Sequence, residues 1–333
     1  SLDGLGEFIF SRTRDAMVER IKAMPKGSWS NALVTDGYDE PVKLAATVTV
    51  RDAGVEVDFT GTDPMSRWGI NCPIIYSKAY ACYALKCVVA PDIPNNAASL
   101  AFFTVSSPVN ILNAVRPAPV ALRHIFGHMV PDLVLGAIAK AMPGKILAEG
   151  AGALWNIHIS VRPVSGGSGR RAEVLMFNSG GMGARPGLDG LSATAFPSGV
   201  HTMPIEATEH TGPIVIWRKE LRPDSGGDGE FRGGLGQVIE IEAIEGHEFD
   251  FSAMFDRVNH PAHGRNGGGP GVAGVVRLDD GTQMRPKGWQ HVPAGRRLIL
   301  QLPGGGGYGD PSKRSTEARA NDRSKEYISE NGK

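Results

Sequence analysis

The chain has 333 residues, 41% hydrophobic and 21% charged, enough for one large or two ordinary domains around a substantial core. Lys plus Arg equals Asp plus Glu at 35 each, so there is no electrostatic footprint for nucleic acid or an anionic membrane. No apolar run approaches the ~20 residues that span a bilayer, and Ser1-Leu2-Asp3-Gly4 lacks the basic start and apolar core of a secretory signal. A cytoplasmic location is the expectation. Cys72, Cys82 and Cys87 are odd in number and match no zinc spacing, so they read as reduced structural thiols.

In chain order, residues 5–24 are predicted as an amphipathic helix, with Leu5, Phe8, Ile9, Met17, Ile21 and Met24 on one stripe and Pro25-Lys26-Gly27 ending it. Strands follow at 43–50 and 55–59, joined through Ala53-Gly54. The second alternates Val55, Val57 and Phe59 against Glu56 and Asp58. Helices are predicted over 73–89 and 122–142, with Pro131 a kink or a fresh start and Pro143-Gly144 the stop. Beyond residue 150 short apolar stretches recur at 154–161, 172–177, 214–218, 238–244, 274–278 and 297–302, most bounded by Gly or Pro. The expected fold class is therefore α+β. It has a mixed, helix-containing part over 1–150 with two long helices, a β-rich part with glycine loops over 151–311, and a polar tail over 312–333.

Glycine is unusually abundant, at 44 residues, and falls in four clusters: 180–190, 226–236, 264–274 and 304–309. None ends in the Gly-Lys-Ser/Thr of a phosphate-binding loop, and Pro186 spoils a dinucleotide fingerprint at 181–187. Two readings remain open: backbone N–H groups converging on an anionic ligand, or bends that need positive φ. On the first reading Asn178, Gly181 and Arg185 approach the substrate, Asp189 orients Arg185, and Arg232 is a further binding candidate with a structural alternative. His124 and His128, four apart, with Asp132 on the same face if the helix runs through Pro131, are weak candidates for a metal. Ile125 stands where a metalloprotease glutamate would be. Glu206, Glu209 and His210 could do acid–base work or simply be surface polarity, and His260 and His263 form a loop pair three apart. No Gly-x-Ser-x-Gly elbow is present.

The segment Asp224-Ser225-Gly226-Gly227-Asp228-Gly229-Glu230-Phe231-Arg232-Gly233-Gly234-Leu235-Gly236 resembles a hallmark of the hydantoinase B and 5-oxoprolinase family. So does Pro303-Gly304-Gly305-Gly306-Gly307-Tyr308-Gly309-Asp310-Pro311. Val57 to Thr62, Pro117 to Val120, Arg123 and Asp132 to Ala137 are similar to the family in the same order. The resemblance implies part of a B-type subunit of an ATP-dependent cyclic amide hydrolase, not active alone. A kinase-like A-type partner would use ATP and Mg to phosphorylate the small-molecule substrate. Carboxylases of acetone and acetophenone are relatives, so a carboxylase subunit is an alternative, and a non-catalytic scaffold half is another. The family's metal motif, an Asn-Asp-Pro-Tyr stretch followed by Gly-Gly-Thr-His and Asp, has no counterpart here. Without an initiator Met, the chain reads as a fragment or processed product that begins after that motif. Another chain would then supply the N-terminal half and its divalent metal, and no cofactor is expected on this one.

Overall fold

The computed structural model describes residues 1–152, 154–194 and 196–329. They form two compact units, one of residues 1–34 and 41–146, the other of residues 35–40 and from Leu147 onward. The second unit thus takes in a short segment from the N-terminal part and the polar tail.

The first unit opens with α1 (Leu2–Lys22), whose N-cap Ser1 accepts from the Gly4 amide at 3.1 Å. Only the second half of the predicted stripe is buried, at Met17, Ile21 and the following Met24; Leu5, Phe8 and Ile9 stand exposed. Strands β1 (Gly27–Thr35), β2 (Val42–Arg51), β3 (Gly54–Asp58) and β4 (Phe103–Ser106) make one sheet in that order, β2 and β3 antiparallel and β4 parallel to β3. Helices α2 (Ile74–Val89) and α3 (Ala97–Leu100) lie between β3 and β4 in sequence. The region predicted as one helix over 122–142 is two, α4 (His124–Gly127) and α5 (Val130–Ala141). Pro131 sits in the first turn of α5, where no intrahelical partner awaits its missing N–H, so it starts a helix rather than kinking one. α5 buries every residue from Val130 to Ile138, packed on α2 and β2. Cys72 and Cys82 are buried and Cys87 exposed, all three free. Burial pushes the Cys72 thiol up to about 12, the state of an inert structural thiol.

The second unit is an antiparallel β-sandwich. One sheet runs β11 (Lys287–Val292), β9 (His247–Met254), β5 (Trp155–Pro163), β6 (Ala172–Asn178). The other runs β10 (Val275–Leu278), β12 (Arg297–Gln301), β8 (Gln237–Ala243), β7 (Ile214–Leu221). Period-two alternation sends Trp155, Ile157, Ile159, Phe249 and Phe251 from one sheet, and Ile239, Ile241, Leu298 and Leu300 from the other, into one shared core. Trp155 stacks on Phe255 with centroids 4.4 Å apart and donates its indole N–H to the Asp256 carbonyl at 2.9 Å. Helix α6 (Ile205–Thr211) precedes β7, and its Glu209 accepts from the Ile216 amide at 2.7 Å. After a 3₁₀ turn at Pro311–Lys313 comes α7 (Thr316–Ser324).

Beside this core lies a second interior made of backbone. The four glycine clusters run alongside one another, and their amides bond to each other: Gly181 to the Pro303 carbonyl, Gly234 to Met182, Gly305 to Gly234, Gly227 to Gly305 and Gly307 to Gly269, all at 2.8–3.0 Å. At the glycines bonded in this way close approach, not positive φ, demands the residue. A Cβ on Gly233 would lie 1.9 Å from the Gly305 oxygen, and one on Gly304 would lie 1.8 Å from that of Ser225.

Candidate functional site

The residues singled out for the glycine loops separate into two places. Asn178, the last residue of β6, is fully buried and donates to the Trp155 carbonyl at 3.2 Å. Gly181 is inside the glycine layer, its carbonyl accepting from the Ala151 amide and its N–H donating to the Pro303 carbonyl, so that N–H is not turned to an anion. Arg185, Asp189 and Arg232 instead line a groove of about 620 Å³ beside α7. Arg185 donates to the Asp189 carbonyl at 2.9 Å. The Asp189 carboxylate, expected to orient Arg185, accepts from Arg314 at 2.8 and 2.9 Å and from the Arg232 amide at 2.7 Å. Burial would raise Asp189; the Arg314 hydrogen bond and charge, with help from Arg232, hold it below the usual carboxylate range. Arg232 is itself buried, 3.3 Å from Asp322 of α7.

In the first unit His124 and His128 have ring centroids 5.7 Å apart. Burial lowers them to about 4 and about 3, with Arg123 and His124 adding to the effect, so both are neutral imidazoles at pH 7. Asp132 is buried in the first turn of α5. Among the described residues no three His, Cys, Asp or Glu side chains are grouped to hold a metal ion.

The concentration of chemistry lies elsewhere in the second unit, in the loop Asp256–Gly264 after β9. Its anchor is Asp36, nearly inaccessible to solvent. Asp36 accepts from the successive amides of Val258, Asn259 and His260 at 2.8–3.2 Å and from His260 Nδ1 at 2.8 Å. The Asp36 amide in turn donates to Asp256 Oδ1 at 2.9 Å. Asp256 is buried, and desolvation pushes its carboxyl up despite Lys287 Nζ 3.5 Å away. Arg257 holds φ at +64°, a left-handed conformation that costs an L-residue about 1–2 kcal/mol. Its buried guanidinium lies 3.1 Å from Glu149 Oε2. That same oxygen accepts from both the amide and Nδ1 of His263 at 3.1 Å.

Two buried carboxylates, Asp36 and Glu149, therefore each hold an imidazole by Nδ1, at His260 and His263. A carboxylate on Nδ1 fixes that nitrogen as the proton-bearing one in the neutral ring, leaving Nε2 as a base. Sequence reading flagged the two histidines but not their partners, which lie 224 and 114 positions away. Asp256-Arg257, a charged pair flush against an apolar strand, is the signal that could have pointed to this loop. Of the other polar group read as possible acid–base residues, Glu209 closes the start of β7 instead.

Asp36→Ala would orphan three amides and is expected to cost the second unit roughly 3 kcal/mol in urea unfolding, with Asp36→Asn losing less because one acceptor oxygen remains. A loss under about 0.5 kcal/mol would show that the loop is anchored by other contacts.

Fold and site together define an α+β protein whose sandwich carries a glycine-packed layer and a loop of carboxylate–imidazole pairs. The chain belongs to the hydantoinase B/oxoprolinase family, whose model matches residues 1–311. It is 28% identical to a protein of Pseudomonas sp. (strain NS671) named as the B-type subunit of a D-/L-hydantoinase, over 95% of this chain and 56% of that one. It is 29% identical to 5-oxoprolinase 1 of Arabidopsis thaliana, over 80% of this chain and 20% of that one. The chain thus spans about half, or less, of the curated relatives it matches. In backbone it is similar to the ATP-dependent caprolactamase of Pseudomonas jessenii, with a TM-score of 0.81, 23% identity, and coverage of 97% and 58% of the two chains. It is also similar to a nucleotide-free acetone carboxylase, with a TM-score of 0.79, 17% identity, and coverage of 95% and 50%. No helix among the described residues is long and apolar enough to cross a membrane.

Proposed function

We propose that the chain forms part of the B-type subunit of an ATP-dependent cyclic amide hydrolase of hydantoinase, 5-oxoprolinase or lactamase type. Its partners are a kinase-like A-type subunit, which uses ATP and Mg to phosphorylate the substrate, and a segment that supplies the N-terminal half with its divalent metal. The observation that supports this reading most is the family match over residues 1–311, with relatives named for hydantoinase and 5-oxoprolinase. The chemistry is coherent: an amide is a poor electrophile, phosphorylating its oxygen makes the carbon open to attack, and a closed site protects the activated intermediate from bulk water.

The test is to assemble this chain with an A-type subunit and the N-terminal half. Ring opening of hydantoin, 5-oxoproline and caprolactam is then measured with and without ATP. ATP-dependent opening of one of them is the expected result. ATP-dependent fixation of bicarbonate onto acetone or acetophenone would move the assignment to the carboxylase reading. Turnover by the A-type subunit and the N-terminal half that is the same with and without this chain would leave it a scaffold.

A further inference from the structure

The geometry points to Glu149 and His263 as a proton-transfer pair, with His263 the residue that moves the proton in the amide chemistry and Glu149 and Arg257 positioning it; this rests on the function proposed above. Three observations carry it. Glu149 is a buried carboxylate whose Oε2 receives His263 Nδ1 at 3.1 Å, while the His263 side chain itself is 63% exposed. Tying a solvent-facing imidazole to a buried charge contributes little to stability, because the exposed partner is screened and the buried one has lost its water. Second, the buried carboxylate is matched by a buried guanidinium brought to it by a strained backbone, Arg257 at φ +64°. Third, the pair is built into the glycine layer: the Glu149 amide bonds the His263 carbonyl at 3.1 Å, and Gly306 donates to the Glu149 carbonyl at 2.8 Å. A Cβ on Gly306 would stand 2.2 Å from the His263 oxygen. The layer thereby fixes both members of the pair.

The charged groups facing His263 are Glu149, from the segment before β5, and Arg257 and Arg265 from its own loop. The Glu149 hydrogen bond and charge raise the imidazole above its ordinary value despite burial and the two arginines. Burial alone would raise Glu149, but His263 and Arg257 bring it down to about 2, so it stays a carboxylate throughout the working range. In ring opening of the phosphorylated amide, water's oxygen forms the bond to the amide carbon, and its two protons pass in turn through His263 Nε2 to the ring nitrogen as the carbon–nitrogen bond breaks. That leaves an amine and an acyl phosphate, and a second water cleaves the latter to carboxylate and inorganic phosphate. The imidazole ends neutral and nothing is oxidised or reduced.

The test combines kinetics of the assembled ATP-dependent enzyme with nitrogen-15 NMR of the histidine rings in this chain. His263→Gln is expected to lower kcat by about 10²–10⁴-fold with KM little changed. Glu149→Gln should move the acid limb of kcat/KM to lower pH. His158→Gln, which breaks a carboxylate–imidazole pair with Glu173 exposed on both sides, should leave kcat and the profile as in the wild type. By NMR, His263 should carry its proton on Nδ1 when neutral and titrate above the ordinary histidine value of about 6.5, falling in Glu149→Gln. Wild-type kcat in His263→Gln overturns the proposal. So does a His263 titration that Glu149→Gln leaves unmoved, and that readout holds even if the assembled enzyme opens no cyclic amide and the functional reading itself fails.

Discussion

Gly181→Ala is expected to unfold the second unit rather than to weaken a ligand. A Cβ there would lie 1.8 Å from the Gly234 carbonyl oxygen and 2.7 Å from the Gly305 amide nitrogen. Both are backbone atoms of neighbouring loop segments, so no rotamer change relieves the overlap, and the layer must part. Parting breaks the bonds Gly305 to Gly234 and Gly234 to Met182 that tie the clusters together. The expected loss exceeds about 4 kcal/mol, the range reserved for disrupted interiors. That is a large share of the 5–15 kcal/mol typical of whole domains. Gly166→Ala is the comparison. Its φ of +79° also disfavours a side chain, but nothing lies within 4 Å, so only about 1 kcal/mol should go. Urea unfolding followed by circular dichroism distinguishes the two. A Gly181→Ala protein that unfolds like the wild type while its assembled enzyme loses activity would restore the ligand-binding reading of this glycine.

How far the sequence reached follows from which signals are local. β2, β3, β5 and α2 were legible because period two or period 3.6 is written in neighbouring residues. β9, central in its sheet, carries the same alternation in Phe249, Asp250, Phe251 and Ser252, yet went unread between polar flanks. α6 was hidden by the turn-forming residues around Glu206 to His210. α1 showed a stripe of which only the second half has described neighbours over it, since a helical pattern marks a face and not what covers it. The glycine clusters were visible, and their meaning was not. Whether a glycine serves a ligand, a turn or a backbone contact depends on the segment beside it, and Gly234 and Gly305 are 53 and 124 residues from Gly181. For the same reason His260 and His263 could be marked while Asp36 and Glu149 could not: an isolated carboxylate acquires a role only when the fold brings a partner to it.

The tail supplies the second large effect. Arg314, just before α7, bonds Asp189 at 2.8 Å and Asp322 at 2.6 Å, and Asp322 also faces Arg232 at 3.3 Å. The side chains of Arg232, Arg314 and Asp322 are all under a tenth exposed. Asp322→Ala would leave two guanidiniums sharing one buried space, with Arg232 left on the Gly233 carbonyl and the face of Tyr327. Removing one partner of a buried ion pair typically costs 3–5 kcal/mol, and a loss of about that size is expected here. It should appear first as undocking of the segment after Pro311, because Asp322 and Arg314 both lie on it. Hydrogen exchange of α7 amides and trypsin cleavage near Arg319 would rise before the sandwich melts. Asp322→Ala with Arg232→Met should recover part of the loss by removing the stranded charge. Acid should act in the same direction. Asp189 is held low by Arg314, so its contribution is complete above the ordinary carboxylate value of about 3.9 and is lost as pH falls through its depressed folded value. Salt should do little, since screening is weak for buried pairs. If Asp322→Ala leaves exchange and cleavage of α7 unchanged, the tail is held by its contacts at Asp224, whose amide and carboxylate bond Tyr327 and Ser329 at 3.0 Å, and not by the buried triad.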